Sequence, residues 1–426
     1  MTLIVFLTVL IGAILIGIPV AFALLLSAIA MMIQMNMFSV DIMAQSLING
    51  VDSFTLLAIP FFLVAGEAMS RGGLSQRIVN LAMMLIGHRK GGLGYVAIIT
   101  SIVLAGLSGS AVADAAALVS ILYPMMRKAG YPQESSLGLL ASGGLIAPVI
   151  PPSLPLILIG VAGNISIGKL FMAGIAPGLM MGAALVVTWW WVVRKDDLDT
   201  LPRASWGDVL GALKSGVWAL LMPVIIIGGI RTGIFTATEA AVVAAVYAIV
   251  VSMFVYREMT LRDLYETLVS AVGTTAMVMF LVGAAMVVSW LITVAQLPQQ
   301  LAGLLDPFMD SPRLLMLVIM IIVFVVGTAM DLSPTILILV PLFMPVVNAA
   351  GIDPVYFGLM FVINCSIGLI TPPVGTVLNV VCGVGGVPMS RVLRGVLPFM
   401  IAYIVLLGLF IVFPELITGP AKLLGR

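Results

Sequence analysis

The feature that most restricts this chain is the length of its charge-free stretches. Residues 1–40, 135–168, 170–193, 267–305 and 354–390 contain no Asp, Glu, Lys or Arg. A helix crosses the hydrocarbon of a bilayer with about 20 apolar residues, so each stretch is long enough to span. A soluble fold needs a charged coat, and this chain lacks one. Only 9% of its residues are charged and 62% are hydrophobic, where an ordinary soluble domain has about 25% and 45–50%. The runs do not alternate polar with apolar residues, which excludes an outer-membrane barrel. A net charge of +1 offers no field for nucleic acid. One histidine, His88, and two cysteines, Cys365 and Cys382, are too few for a His/Cys zinc site, an iron–sulfur centre or a disulfide framework. The expected class is an all-α polytopic membrane protein in the lipid bilayer, with on the order of ten to twelve membrane segments. The first segment begins at Leu3 with no basic region before it, and it reads as a permanent anchor rather than a cleaved signal.

The polar stretch from Arg194 to Lys214 follows Trp189, Trp190 and Trp191, which read as an interfacial belt closing a helix. On either side of it the chain repeats itself. Gly106 and Gly327, Pro124 and Pro345, and Gly130 and Gly351 are each separated by 221 positions, while Gly144–Pro148 and Gly368–Pro372 are separated by 224. The division is a first membrane repeat over 1–193 with a hairpin at about 93–128, a polar linker over 194–215, and a second repeat over 216–426 with a hairpin at about 312–349. Arg71, Arg77, Arg89 and Lys90 of the first copy have no basic counterparts between Leu291 and Ser311, and Arg127 and Lys128 correspond to Asn348 and Ala349. Short basic loops stay in the cytoplasm, so equivalent loops fall on opposite sides of the membrane. This is an inverted repeat, a plan used by many secondary transporters.

Each copy has two places where a helix cannot continue. Gly106–Ser110, mirrored by Gly327–Asp331, reads as the tip of a re-entrant hairpin; the alternative is a face of small residues that packs helices together. Asp331, Ser333 and Pro334 read as a capped helix start. Gly143–Pro155, with Pro148, Pro151, Pro152 and Pro155, is mirrored by Gly368–Thr376 with Pro372 and Pro373. Prolines remove N–H donors and release carbonyls from the ladder, and lipid cannot satisfy those carbonyls. A single proline would suit a kink; several fit an unwound stretch that lines a cavity, where a sodium ion is a suitable partner.

Four acids lie in or beside apolar segments. Glu239, in Thr236-Ala237-Thr238-Glu239, has the capping-box pattern and reads as structural. Glu67 stands four residues before Arg71 and reads as its partner. Asp114 and Asp331, at or just beyond the tips, are the functional candidates. Serine–histidine–acid catalysis has no support, because His88 sits in a basic loop.

At these residues the chain resembles the large membrane subunit of a tripartite ATP-independent periplasmic (TRAP) transporter, the DctM-type permease, nearly end to end. The resemblance is carried by Leu57–Phe62 with Ala65-Gly66, by Gly91–Leu93, Ser108–Asp114, Pro151–Ser153, Phe235–Ala240 and Thr371–Gly375. It implies a sodium-driven importer of organic acids in the bacterial inner membrane, in which hairpins and broken helices form an elevator moving against a scaffold. No cofactor is implied beyond sodium as coupling ion. The implied partners are a periplasmic substrate-binding protein and a small four-helix membrane subunit, here a separate chain because Met1 leads directly into the large-subunit pattern. The family's sodium sites map onto Ser108, Ser110, Gly144, Pro148 and Val149, and onto Gly327, Thr371, Pro372 and Thr376. Substrate oxygens map onto Ser110, Ser153, Asn379 and the helix N-termini, whose positive dipole ends suit a carboxylate.

The rival within transport is a stand-alone sodium/dicarboxylate symporter, which shares the inverted hairpin plan. A membrane enzyme needs a cluster of His, Asp or Glu, and a channel needs a polar ring; neither pattern is visible. C4-dicarboxylates, sialic acids and sugar keto acids are all open as substrates, a sugar acid being favoured by overall likeness. The charge asymmetry predicts that Arg127→Cys is labelled from the cytoplasm and Asn348→Cys from the periplasm in a background lacking Cys365 and Cys382. Access to both from one side would refute the inversion.

Overall fold

The computed structural model describes residues 2–195, 198, 200 and 202–424. These form twenty α-helices and no strand. The chain enters through α1 (Thr2–Leu15), α2 (Val20–Gln34), α3 (Val40–Val51), α4 (Ala58–Arg71) and α5 (Leu74–Ile86). A hairpin follows, α6 (Gly92–Ser108) and α7 (Ala111–Lys128), then a segment broken into α8 (Gln133–Gly144) and α9 (Leu154–Ala162), then the long α10 (Ile167–Val193). Helices α11 (Trp206–Arg231) and α12 (Ala237–Val250) lead to α13 (Leu261–Val294) and α14 (Leu297–Met309). The same series then recurs: hairpin α15 (Pro312–Ala329) and α16 (Leu332–Ala349), broken pair α17 (Pro354–Gly368) and α18 (Thr376–Gly385), and long α19 (Met389–Val412), with α20 (Glu415–Leu424) at the end. Both ends of α7 map onto those of α16 with the 221-residue offset, as does the start of α8 onto that of α17. The change to 224 arises because α17 has 15 residues and α8 has 12.

Contacts between loops place the helix ends in two layers. At one end Arg77 pairs with Glu258 at 2.7 Å, Arg71 with Glu266 at 3.0 Å, and Lys90 Nζ donates to the Arg194 carbonyl at 3.3 Å. Tyr131, just after Arg127 and Lys128, accepts from the Leu93 amide at this end. At the other end the loop residues Asn164 and Asp353 and Asn348, near the end of α16, share a cavity of about 1000 Å³ with Thr418 of α20. Basic residues concentrate in the first layer, which is therefore the cytoplasmic one. Helix α13, with 34 residues, is about 51 Å long, well beyond the hydrocarbon thickness of about 30 Å. Its excess length carries Arg262 and Glu266 into the cytoplasmic ion cluster.

Eight helical stretches are long and apolar enough to span, by length and composition, fewer than the ten to twelve segments expected. That number includes both arms of the second hairpin and omits the broken pairs α8–α9 and α17–α18, whose halves are too short to qualify singly. Within the polar stretch over 194–215 a helix starts at Trp206, where Ser205 and Asp208 close a capping box. One further expectation needs correcting. The three tryptophans do not share one environment: Trp190 and Trp191 are exposed, but Trp189 is fully buried. Its indole N–H donates to the Gly91 carbonyl at 2.9 Å and its ring stacks on Tyr131. Period rather than position explains this, since successive residues of a helix point about 100° apart.

Helix association inside a bilayer gains nothing from apolar transfer and depends on close packing. One close crossing is α8 on α19: a Cβ at Gly395 would overlap the Glu134 carbonyl, and one at Gly138 would overlap that of Gly395. Gly395→Val is expected to lower the melting temperature of the purified protein by several degrees, an overpacking cost of about 1–3 kcal/mol. Gly408→Val, where a Cβ meets nothing within 4 Å, is the control and should leave it nearly unchanged.

Candidate functional site

The first hairpin turns on three residues. Ser108 ends α6, Gly109 takes φ +61°, and Ser110 adopts extended backbone and caps α7 by accepting from the Ala113 amide at 3.3 Å. Gly109 is required here twice over: its φ favours glycine, and a Cβ would lie 2.5 Å from the Pro152 carbonyl oxygen. The Ser108 hydroxyl accepts from the Ser110 amide at 3.2 Å and donates to one carboxylate oxygen of Asp114. Asp114 is 4% exposed, and its other oxygen has no partner among the described residues. No salt bridge among the described residues includes it.

This tip rests on the first break. Helix α8 gives way at Gly144 to tight turns through Ile150, and α9 restarts at Leu154. Ser153 holds the two halves together. Its hydroxyl donates to the Pro148 carbonyl at 2.5 Å and accepts from the Leu156 amide at 3.3 Å. A Cβ at Gly144 would lie 2.7 Å from the Ala111 carbonyl, so the end of α8 touches the start of α7. The Val149 carbonyl lies against Gly174 of α10.

The second hairpin meets the second break in the same way. The Val374 amide donates to the Thr328 carbonyl at 3.3 Å, and a Cβ at Gly368 would lie 2.5 Å from the Gly327 carbonyl. The Thr371 hydroxyl donates to the Ile367 carbonyl at 2.8 Å; Asn379 donates its amide N–H to the Val374 carbonyl at 2.6 Å. Gly375, at φ +48°, precedes α18. The Thr376 hydroxyl donates to the Asp331 carboxylate at 3.3 Å. Asp331 stands at the cap position of α16 but makes no side-chain capping bond, contrary to the expectation for it. The carboxylate reaches across to α18 instead. Pro372, Pro373, Val374, Asn379 and Asp331 are exposed, whereas Pro148 and Pro151–Ser153 of the first break are buried. Helix α18 packs on α7 and α8, so the two hairpin–break pairs adjoin.

The candidates therefore divide into two groups. Ser108, Ser110, Asp114, Gly144, Pro148, Val149 and Ser153 surround the first tip, and Gly327, Asp331, Thr371, Pro372, Thr376 and Asn379 surround the second. The other two acids are structural. The Glu239 carboxylate accepts from the Thr236 amide at 2.8 Å, completing its capping box, and Glu67 pairs with Arg71 at 3.1 Å. Asn364 escaped the reading from sequence. It is 1% exposed in the middle of α17, donates to the Met320 carbonyl at 2.6 Å and leaves its side-chain oxygen unpartnered among the described residues. Its signal in the sequence is a lone amide inside an apolar run.

An all-helical membrane protein with two hairpins, each seated on a broken helix of the same repeat, is a secondary-transporter architecture. The chain belongs to the DctM family of large TRAP permeases: residues 7–416 match the tripartite ATP-independent periplasmic transporter, DctM component. It is 55% identical over 422 residues, 99% of each chain, to the 2,3-diketo-L-gulonate TRAP transporter large permease protein YiaN of Escherichia coli (strain K12). It is 42% identical to the sialic acid TRAP transporter large permease protein SiaM of Vibrio cholerae serotype O1 (95% of each chain). Its identity to the C4-dicarboxylate TRAP transporter large permease protein DctM of Pseudomonas aeruginosa is 39% (91% of each chain). Among solved structures the Alcanivorax borkumensis YdaH transporter has the same fold, with a TM-score of 0.63 over 87% of this chain and 88% of that one at 15% identity. The chain is thus a multi-pass permease of the bacterial inner membrane.

Ser153→Ala removes a buried cap and the partner of the Pro148 carbonyl together. It is expected to cost about 1–3 kcal/mol, more than an exposed cap alone. Ser166→Ala, which removes the exposed cap of α10 at Lys169, is the comparison. Thermal unfolding in detergent should rank Ser153→Ala clearly below Ser166→Ala.

Proposed function

We propose that this chain is the large membrane subunit of a sodium-coupled importer of an organic acid, supplied by a periplasmic binding protein and braced by a small four-helix membrane subunit. The observation that carries the reading is the repeated seating of a hairpin tip on a helix break. Each brings together carbonyls and hydroxyls of the kind that a dehydrated sodium ion takes. The first sodium ion would use Ser108, Ser110, Gly144, Pro148 and Val149, and the second Gly327, Thr371, Pro372 and Thr376. The Thr371 hydroxyl now held by the Ile367 carbonyl would turn toward the ion, at the cost of that bond. The acid would lie where the two hairpin–break pairs adjoin, with Ser110 and Ser153 of the first pair and Asn379 of the second as polar partners. The identity to a permease named for 2,3-diketo-L-gulonate favours a sugar-derived keto acid over a C4-dicarboxylate or a sialic acid.

Transport in this reading is an elevator movement. Sodium and substrate bind the moving part and bias it between two states, by no more than their differential affinity for those states. The chain has no G-x-x-x-x-G-K-[ST] phosphate loop, so an ion gradient supplies the work.

Proteoliposomes containing this chain, the small subunit and the binding protein are expected to accumulate the acid only with an inward sodium gradient. Thr371→Val should raise the sodium concentration for half-maximal uptake several-fold while leaving the melting temperature within about 2 °C, the shift of a sub-kcal/mol change. Uptake by this chain alone would favour a stand-alone symporter, and uptake driven equally by protons would refute sodium coupling.

A further inference from the structure

A second cavity, of about 730 Å³, opens on the outside of the helix bundle at its basic end, away from both hairpin tips. Its walls are Ile86 of α5, Ile99 of α6, and Val186 and Val187 of α10; its mouth carries Arg89, Lys90, Tyr95 and Trp190. The apolar part faces the bilayer sideways, because Val187 is 66% exposed on a helix long and apolar enough to span. Trp190 and Trp191, both more than half exposed, mark the interfacial level, where amphipathic rings settle. The four ion pairs use Arg71, Arg77 and Arg262, so that among the described residues no carboxylate pairs with Arg89 or Lys90. The Lys90 ammonium also donates to the carbonyl of Arg194 at the end of α10, and the Arg194 guanidinium lies over the Trp191 ring.

We infer that this groove holds an anionic glycerophospholipid of the cytoplasmic leaflet, with its phosphate between Arg89 and Lys90 and an acyl chain along Ile86, Ile99, Val186 and Val187. Basic pockets between membrane helices on the cytoplasmic side take anionic headgroups in this way. Free phosphate would use the two cations and leave the apolar walls without a role, so the wall chemistry selects the lipid. Bound there, the lipid ties the start of α6, which is the first arm of a hairpin, to the end of α10. Trp189 makes the same connection from inside through Gly91, so the lipid would reinforce a joint the protein already has.

Native mass spectrometry and thermal unfolding of the full chain in detergent test this, with phosphatidylglycerol or phosphatidylcholine of the same acyl chains added. Retention should favour phosphatidylglycerol by about thirtyfold, as expected for two basic residues near an anionic headgroup. The melting temperature should rise with that lipid alone and stay unmoved by inorganic phosphate. Arg89→Gln combined with Lys90→Gln should abolish the preference. Val187→Trp, which fills the apolar part and leaves both cations, should reduce retention and keeps the inference testable if the double variant does not fold. Lys422→Gln, at the opposite end, should change nothing. Equal retention of the two lipids, a preference that survives the double variant or is lost in Lys422→Gln, or an equal shift from inorganic phosphate would overturn the inference.

Discussion

Everything distinctive in this structure depends on one constraint: a carbonyl or N–H released inside a membrane must find a partner within the protein. Four chain segments release such groups, at two hairpin tips and two helix breaks, and each tip lies against a break. Gly109 against Pro152, Gly368 against Gly327 and the bond from Val374 to Thr328 are three points of that closure. Short polar side chains supply the remaining partners. Ser153 answers the Pro148 carbonyl, and Asn379 answers that of Val374. A site assembled this way needs no cluster of charges, which is why so few charged residues suffice for a transporter.

The two copies solve the same problem with exchanged chemistry. At the repeat offset of 221, Ser110 corresponds to Asp331 and Asp114 to Thr335. At these two positions each hairpin therefore carries one carboxylate and one hydroxyl, placed in opposite order, and the second adds Ser333 between them. In the first, the buried Asp114 turns back to Ser108 within the tip. In the second, the exposed Asp331 reaches out to Thr376 on α18, and Thr335 bonds the Asp331 carbonyl at 2.8 Å. One tip is closed on itself and the other is tied to its break. That difference accompanies the burial of the first break and the exposure of the second.

Much of the site is legible in the amino-acid sequence because its signals are local. Proline cannot donate an N–H wherever it sits in the fold, so Pro148, Pro151, Pro152, Pro155, Pro372 and Pro373 announce two breaks. The capping box at Thr236 and Glu239, and the pairing of Glu67 with Arg71, likewise depend on residues three or four apart. Asp331 shows the limit of such reasoning: a cap-like neighbourhood does not make a cap, because Thr376, far along the chain, competes for its carboxylate. Trp189 shows it again, since a belt read from three adjacent tryptophans ignores which side of the helix faces the bundle.

Hydrophobicity, the spacing of glycines and prolines, and charge by themselves determined that the chain is helical, lies in a membrane, and repeats with inverted orientation, because these follow from the cost of polar groups in lipid, from the 221-residue offset and from which loops stay in the cytoplasm. They could not decide which apolar helices cross. Helices α15 and α16 satisfy every compositional requirement for spanning, yet they form a hairpin whose tip stops at the break between α17 and α18. The Gly327–Asp331 stretch in the sequence suits either a hairpin tip or a packing face, and only the tertiary structure decides between them, since whether an apolar helix ends at the far interface or midway depends on what meets its last carbonyls. Here that partner is a second interrupted helix some forty residues further along the chain.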